Sequence, residues 1–144
     1  MNDNVVGVNH TMSDVSTFRL YLLRFAYLLL SVGLAFTIWP QIILHDTKWP
    51  LWYGVGCSLL AAVSVLAVLG IRYPLKMLPL LFFELTWKLI WLIAVGFPMW
   101  SAGQMNPETM ETAQNCLMAV IFLFVIPWPY VFAHYIKSKG DRWK

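Results

Sequence analysis

Four long, continuously apolar runs restrict this chain to very few folds. They cover residues 20–39, 51–71, 78–97 and 113–136, and each is close to or above the roughly 20 residues that an α-helix needs to cross about 30 Å of hydrocarbon. Strands of a membrane β-barrel would alternate apolar and polar residues over about ten positions, and these runs do not alternate. Because 60% of the residues are apolar and only 12% are charged, polar surface cannot cover a water-soluble globule. The sequence therefore predicts an all-α integral membrane protein folded as a four-helix bundle.

The segments outside the four runs are short. We expect a polar leader over 1–18, a transmembrane domain over 19–136 and a basic tail over 137–144. The leader lacks the basic n-region of a signal peptide, and the first run is too long for an h-region, so we expect the first span to be retained. These lengths leave no room for a soluble catalytic domain.

Basic residues are concentrated at one end of the predicted bundle. The opposite end carries one basic residue, Lys48, together with the tryptophans of an aromatic belt. The basic residues at the first end are Arg19, Arg24, Arg72, Lys76, Lys137, Lys139, Arg142 and Lys144. The positive-inside rule then predicts cytoplasmic N and C termini for a multi-pass protein of the inner (plasma) membrane. The net charge of +3 is explained by a lipid bilayer as partner, without a nucleic acid.

One stripe of polar and aromatic side chains lies inside the third run. Glu84, Trp87, Lys88 and Trp91 are spaced i, i+3, i+4 and i+7, which places them on one face of a helix. Ionisable groups in hydrocarbon cost roughly 2.5 to 3.5 kcal/mol each, so this stripe is the first place to look for function. Glu84 precedes Lys88 by four residues, which is the favoured order for an ion pair within a helix.

Four residues of the first and fourth runs are expected near this stripe. Arg24 and Tyr27 share a face of the first helix, and Arg24 is expected to reach the Glu84 carboxylate. Tyr130 and His134 are expected near the cytoplasmic end of the fourth helix. In one interpretation the charges only lock helices together, with tryptophans shielding the ammonium group by cation–π contact. In the other, Glu84 and Lys88 line a wet cavity with Tyr130 and His134 at its mouth.

Helix packing can also be predicted from spacing. Gly54, Ser58 and Ala62 form a small-xxx-small pattern, which predicts a close helix contact. Pro127 and Pro129 lie inside the fourth run, which predicts a kinked span that continues to Tyr135 and frees the carbonyl groups of Leu123 and Val125.

The sequence contains little of the chemistry that marks an enzyme. Its three histidines are expected at separate places, with His10 in the leader, His45 outside the cell and His134 near the inner surface. Cys57 and Cys116 could reach each other near the outer face, although we favour unpaired apolar cysteines. No phosphate loop, nucleophile elbow or metal-binding spacing occurs. We therefore expect no catalytic residues, no metal site and no cofactor.

The layout resembles a known class of membrane protein. Four short-looped spans, with a connection from Gly70 to Lys76 that leads into Phe83, Glu84 and Leu85, resemble the small DoxX-like bacterial membrane proteins along all four spans. This resemblance implies an accessory subunit or a protein of unassigned role, and it transfers no functional residue. The chain is unlike small multidrug transporters, whose membrane glutamate lies in the first helix.

Three functions are compatible with these features. The first is a non-enzymatic accessory or scaffold subunit, which acts as a homo-oligomer or with a larger membrane partner. The second is a cytoplasm-facing carrier of a small solute, or a proton-coupled carrier, that uses Glu84 and Lys88. The third is a subunit of a membrane redox or lipid-handling enzyme.

Overall fold

The computed structural model describes residues 15–44 and 48–141, and these residues form helices and turns without a strand. The helices are α1 (Thr17–Thr37), α2 (Trp39–Ile43), α3 (Leu51–Arg72), α4 (Leu78–Trp91), α5 (Phe97–Ser101), α6 (Pro107–Leu117), α7 (Val120–Val125) and α8 (Trp128–Val131), with π-helical segments at Leu92–Gly96 and Phe132–Ile136. The predicted all-helical class is confirmed.

Within residues 15–44 and 48–141, three continuous helical stretches are long and apolar enough to cross a membrane. They are Thr17–Ile43, Leu51–Arg72 and Leu78–Ser101. Two further helical stretches, Pro107–Val125 and Trp128–Ile136, are bent by 74° relative to each other and make a fourth span if they are counted together. The sequence-based expectation of membrane-spanning helices is therefore confirmed, with three or four candidate spans.

Helices α1 and α3 pack closely along one line, which we call the α1–α3 seam. Tyr27 is fully buried in this seam, and a Cβ atom added at Gly70 would lie 2.3 Å from Tyr27 Cδ1. The Tyr27 hydroxyl donates to the Pro74 carbonyl oxygen over 2.9 Å. Ser64 Oγ donates to the Ser31 carbonyl oxygen over 3.0 Å. Only glycine at position 70 gives the tyrosine ring this space.

The seam uses a different face of α3 from the predicted one. Ser58 and Ala62 are exposed, whereas Cys57, Ala61 and Ser64 are buried. Small residues occur on both faces of this helix, so the pattern alone could not choose between them. Ser58 and Ala62 lie about 100° away from the buried face of α3, so the close helix contact predicted through them is not part of the α1–α3 seam and stays a prediction.

The fourth apolar run is broken and not only kinked. Ile126 is extended, with ψ of 125°, and the helix restarts after Pro127. Proline has no N–H group, so Pro127 leaves the Leu123 carbonyl without its helical donor. The Trp128 indole Nε1–H donates to that carbonyl over 2.7 Å, and Arg19 Nη1 donates to the Ile126 carbonyl over 3.2 Å. Side chains thus replace backbone donors at the break.

The two cysteines are buried and free. Cys57 lies in a small apolar cluster with Ile38 and Ala61. Cys116 lies on α6 and is 1% exposed. This arrangement confirms the preference for unpaired cysteines.

Candidate functional site

Glu84 lies on the buried face of α4. The helix turns Leu78, Leu81 and Leu85 inward, and Glu84 falls between them on the same face. The side chain is 1% exposed, so the carboxylate has little contact with solvent or lipid. A carboxylate in such surroundings needs partners from the protein itself.

Both oxygens of the Glu84 carboxylate have a partner. Lys88 Nζ lies 2.6 Å from Glu84 Oε1. The Trp87 indole Nε1–H donates to Glu84 Oε2 over 2.7 Å. The predicted ion pair is therefore present. The hydrogen bond from Trp87 was not predicted, although its spacing of three residues allows it.

The Lys88 ammonium group is also covered by aromatic rings. Nζ lies 5.5 Å from the centre of the Trp87 ring and 5.9 Å from that of Phe122 on α7. These distances fall within the range of cation–π attraction. Helix α6, which carries the buried Cys116, also packs against α4. The pair is thus enclosed by α4, α6 and α7, and it is neutral overall.

Trp91 lies against the π-helical segment that follows α4. A Cβ atom at Gly96 would lie 3.1 Å from Trp91 Cζ3, so the indole lies along the following π-helical segment. Phe122 supplies the second ring over Lys88, where Trp91 was expected to do so. The sequence carried no specific signal for Phe122, because it is one of many apolar residues in the fourth run.

Arg24 does not join the pair, which corrects the sequence-based expectation. It is exposed, and its guanidinium group lies 5.8 Å from the centre of the Tyr21 ring. Helix α1 turns Leu23 and Tyr27 inward instead, and Arg24 lies about 100° away from Leu23. Tyr27 bonds to the Pro74 carbonyl and not to Glu84.

Tyr130 and His134 lie beyond the break. Their rings are stacked with centres 4.0 Å apart, and His134 Nδ1 lies 3.2 Å from the Tyr130 carbonyl oxygen. Both side chains are half-buried. Tyr130 also packs against the apolar core, and Ser138 Oγ donates to the His134 carbonyl oxygen. The expected position of Tyr130 and His134 at the mouth of a cavity stays a prediction.

The described side chains form no cluster of three or more His, Cys, Asp or Glu residues that could hold a metal ion. His10 and His45 lie outside the described residues, as do Arg142 and Lys144 of the tail. Every buried side-chain nitrogen or oxygen in the described part has a hydrogen-bond partner. The arrangement at Glu84 is therefore a closed ion pair, in which each carboxylate oxygen has a partner from the protein.

Comparison with protein-family models, with curated proteins and with solved structures finds no match for the chain. The resemblance to DoxX-like proteins stays a prediction.

Proposed function

We propose that this protein is a non-enzymatic accessory or scaffold subunit of the inner (plasma) membrane. In this proposal its four spans pack as a bundle, both termini lie in the cytoplasm, and its outer faces contact lipid, other copies or a larger membrane protein. The observation that carries the proposal is the closed state of Glu84, whose two oxygens are taken by Lys88 and Trp87.

A closed ion pair suits a structural role better than a transport role. A carboxylate that takes up a proton or a solute during transport must be reachable from water. Glu84 is 1% exposed, and its two partners come from the next turn of its own helix. Phe122 adds a contact to α7. The group is therefore arranged to hold α4 against the fourth run.

The outer face of α3 supports contact with another helix. Ser58 and Ala62 are exposed there, and the Ser58 hydroxyl donates to the Gly54 carbonyl oxygen of its own helix over 2.9 Å. Small side chains with satisfied polar groups allow close approach of a second membrane helix.

Charge-removing variants test the structural role of the pair. We expect Glu84→Gln and Lys88→Met each to lower the free energy of unfolding by about 3 kcal/mol, because Glu84→Gln leaves the half-buried Lys88 charge unpaired and Lys88→Met leaves the buried Glu84 charge unpaired. The double variant should recover most of that loss, since it leaves no buried charge. The measurement is denaturant unfolding of the full chain in mild detergent or bilayers. Glu111→Gln is the matched control, because Glu111 is exposed.

Transport assays separate the scaffold role from the carrier role. Unchanged stability in both single variants, together with altered pH-dependent uptake in vesicles, would reject the scaffold role and favour the carrier.

Purification in mild detergent followed by mass analysis tests the accessory role itself. We expect copies of this chain or a larger membrane protein to copurify, whereas a strictly monomeric product without partners would contradict the proposal.

A further inference from the structure

The segment after the break in the fourth run is oriented unlike a normal membrane span. We call residues 128–139 the C-terminal arm. The preceding stretch, Pro107–Val125, begins with a polar turn that contains Glu108 and Glu111, and its apolar part from Ala113 onward is about 20 Å long at 1.5 Å per residue. The arm is bent by 74° relative to Pro107–Val125. Where Pro107–Val125 lies along the membrane normal, the arm therefore lies closer to the plane of the membrane than to the normal.

Side-chain contacts place the arm at the basic end of the helices. Arg19, in the first turn of α1, bonds to the Ile126 carbonyl just before the arm. Phe82, in the second turn of α4, stacks on Trp128 with ring centres 6.4 Å apart and meets the edge of Tyr135 at 5.8 Å. The starts of α1 and α4 are thus next to the arm.

The arm has the composition of a segment at a membrane surface. Phe132 and Ile136 are 51% and 65% exposed, and they are apolar. Trp128 and Tyr135 are amphipathic aromatic residues of the kind found at headgroup level. Lys137 and Lys139 follow directly and are exposed. Apolar, aromatic and basic residues together are typical of a segment that lies in the interface.

The surrounding surface at this end is also cationic. Arg72, the last residue of α3, and Lys76, in the turn that follows, are exposed. Their charged groups lie over the Tyr73 ring, at 5.5 and 5.7 Å from its centre. Arg24 is exposed on α1. Asp141 is an exposed acidic residue that follows the arm. The basic residues at this end of the molecule outnumber it. Charge complementarity therefore points to an anionic surface.

We propose that the C-terminal arm lies in the membrane interface and binds the headgroups of anionic phospholipids through Lys137 and Lys139. Phe132 and Ile136 enter the apolar boundary of the same leaflet. This inference is independent of the scaffold role, because it concerns the lipid contact of the chain whatever its protein partners are.

Depth measurements test where the arm lies. Spin labels at Pro129→Cys and Ile136→Cys, in the full chain with Cys57→Ala and Cys116→Ala in vesicles, report depth through their accessibility to oxygen and to a water-soluble nickel complex. A segment along the membrane normal would separate the two labels by about 10 Å in depth. The proposed arm separates them by about 3 Å, and both lie near the headgroups. A label at Ile121→Cys, inside α7, is the control for a deep position. A 10 Å difference would overturn the proposal.

Binding of a fluorescent phosphatidylglycerol in neutral detergent micelles tests the headgroup contact. We expect each of Lys137→Gln and Lys139→Gln to weaken its apparent affinity about fivefold, because a lysine near an anionic surface contributes on that scale. Lys48→Gln, at the opposite end, should bind like the native chain, and 1 M salt should abolish the difference. Equal affinity in native and lysine variants, or equal loss in Lys48→Gln, would overturn the proposal. Inorganic phosphate should not compete at millimolar concentration, and full competition would contradict the assignment to lipid.

Discussion

The α1–α3 seam and the break at residues 126–127 differ in how they satisfy backbone groups away from water. Along the seam both helices are continuous, so nearly all backbone bonds lie within each helix, and the Ser64 hydroxyl adds a bond across to Ser31. At the break the helical ladder is interrupted, and the side chains of Arg19 and Trp128 supply donors to the Ile126 and Leu123 carbonyls.

This difference separates two kinds of sensitivity to mutation. The seam depends on the absence of a side chain at Gly70, which leaves room for the Tyr27 ring. The break depends on donors that are present, because an unpaired carbonyl in an apolar environment is costly. Added atoms should therefore damage the seam, and removed donors should damage the break.

The largest expected effect comes from adding one methyl group to the seam. Gly70→Ala would place a Cβ atom 2.3 Å from Tyr27 Cδ1. The ring cannot move freely, because its hydroxyl is bonded to the Pro74 carbonyl. We expect a loss of about 3 kcal/mol in the free energy of unfolding, the upper end of ordinary overpacking. Denaturant unfolding in detergent or bilayers measures it.

Gly33→Ala is the matched control for that change. Gly33 also lies inside a helix, yet nothing comes within 4 Å of a Cβ atom there. Alanine should then be neutral or stabilising, since glycine is the poorer helix former. Similar losses at both positions would show that helix propensity, and not the close contact, governs the seam.

Removal of the charged donor at the break should have the next largest effect. Arg19→Met keeps much of the aliphatic side chain but loses the bond to the Ile126 carbonyl. We expect a loss of about 2 kcal/mol, in the range for hydrogen bonds that involve a charged group. Arg24→Met removes the same charge at an exposed position of the same helix. If both variants lose equal stability, the effect comes from net charge and the bond at the break contributes nothing.

Local spacing and length predicted much of this molecule. The apolar runs predicted membrane-spanning helices, and the four-residue separation of Glu84 and Lys88 predicted their ion pair. Both features depend on positions along a single helix, and the geometry of an α-helix sets these at about 1.5 Å of rise and 100° of rotation per residue.

Relations between helices were harder to predict. Arg24 and Leu23 are adjacent in the sequence, and a rotation of about 100° decides which of them faces inward. The same ambiguity applies to α3, where small residues lie on both faces and the structure exposes Ser58 and buries Ala61. Phe122 could not be assigned to Lys88 because its position depends on how α7 packs against α4.

The smallest of these effects isolates a single neutral donor at the break. Trp128→Phe keeps an aromatic ring to stack on Phe82 but removes the N–H group that bonds to the Leu123 carbonyl. We expect a loss of about 1 kcal/mol in the free energy of unfolding, typical of one neutral hydrogen bond. Trp52→Phe, at a side chain that is 80% exposed, is the control for the smaller ring. Because Trp128 is itself 37% exposed, water could replace its donor. A loss no greater than that of Trp52→Phe would mean that water satisfies the Leu123 carbonyl, and the contrast with the seam would then rest on Arg19 alone.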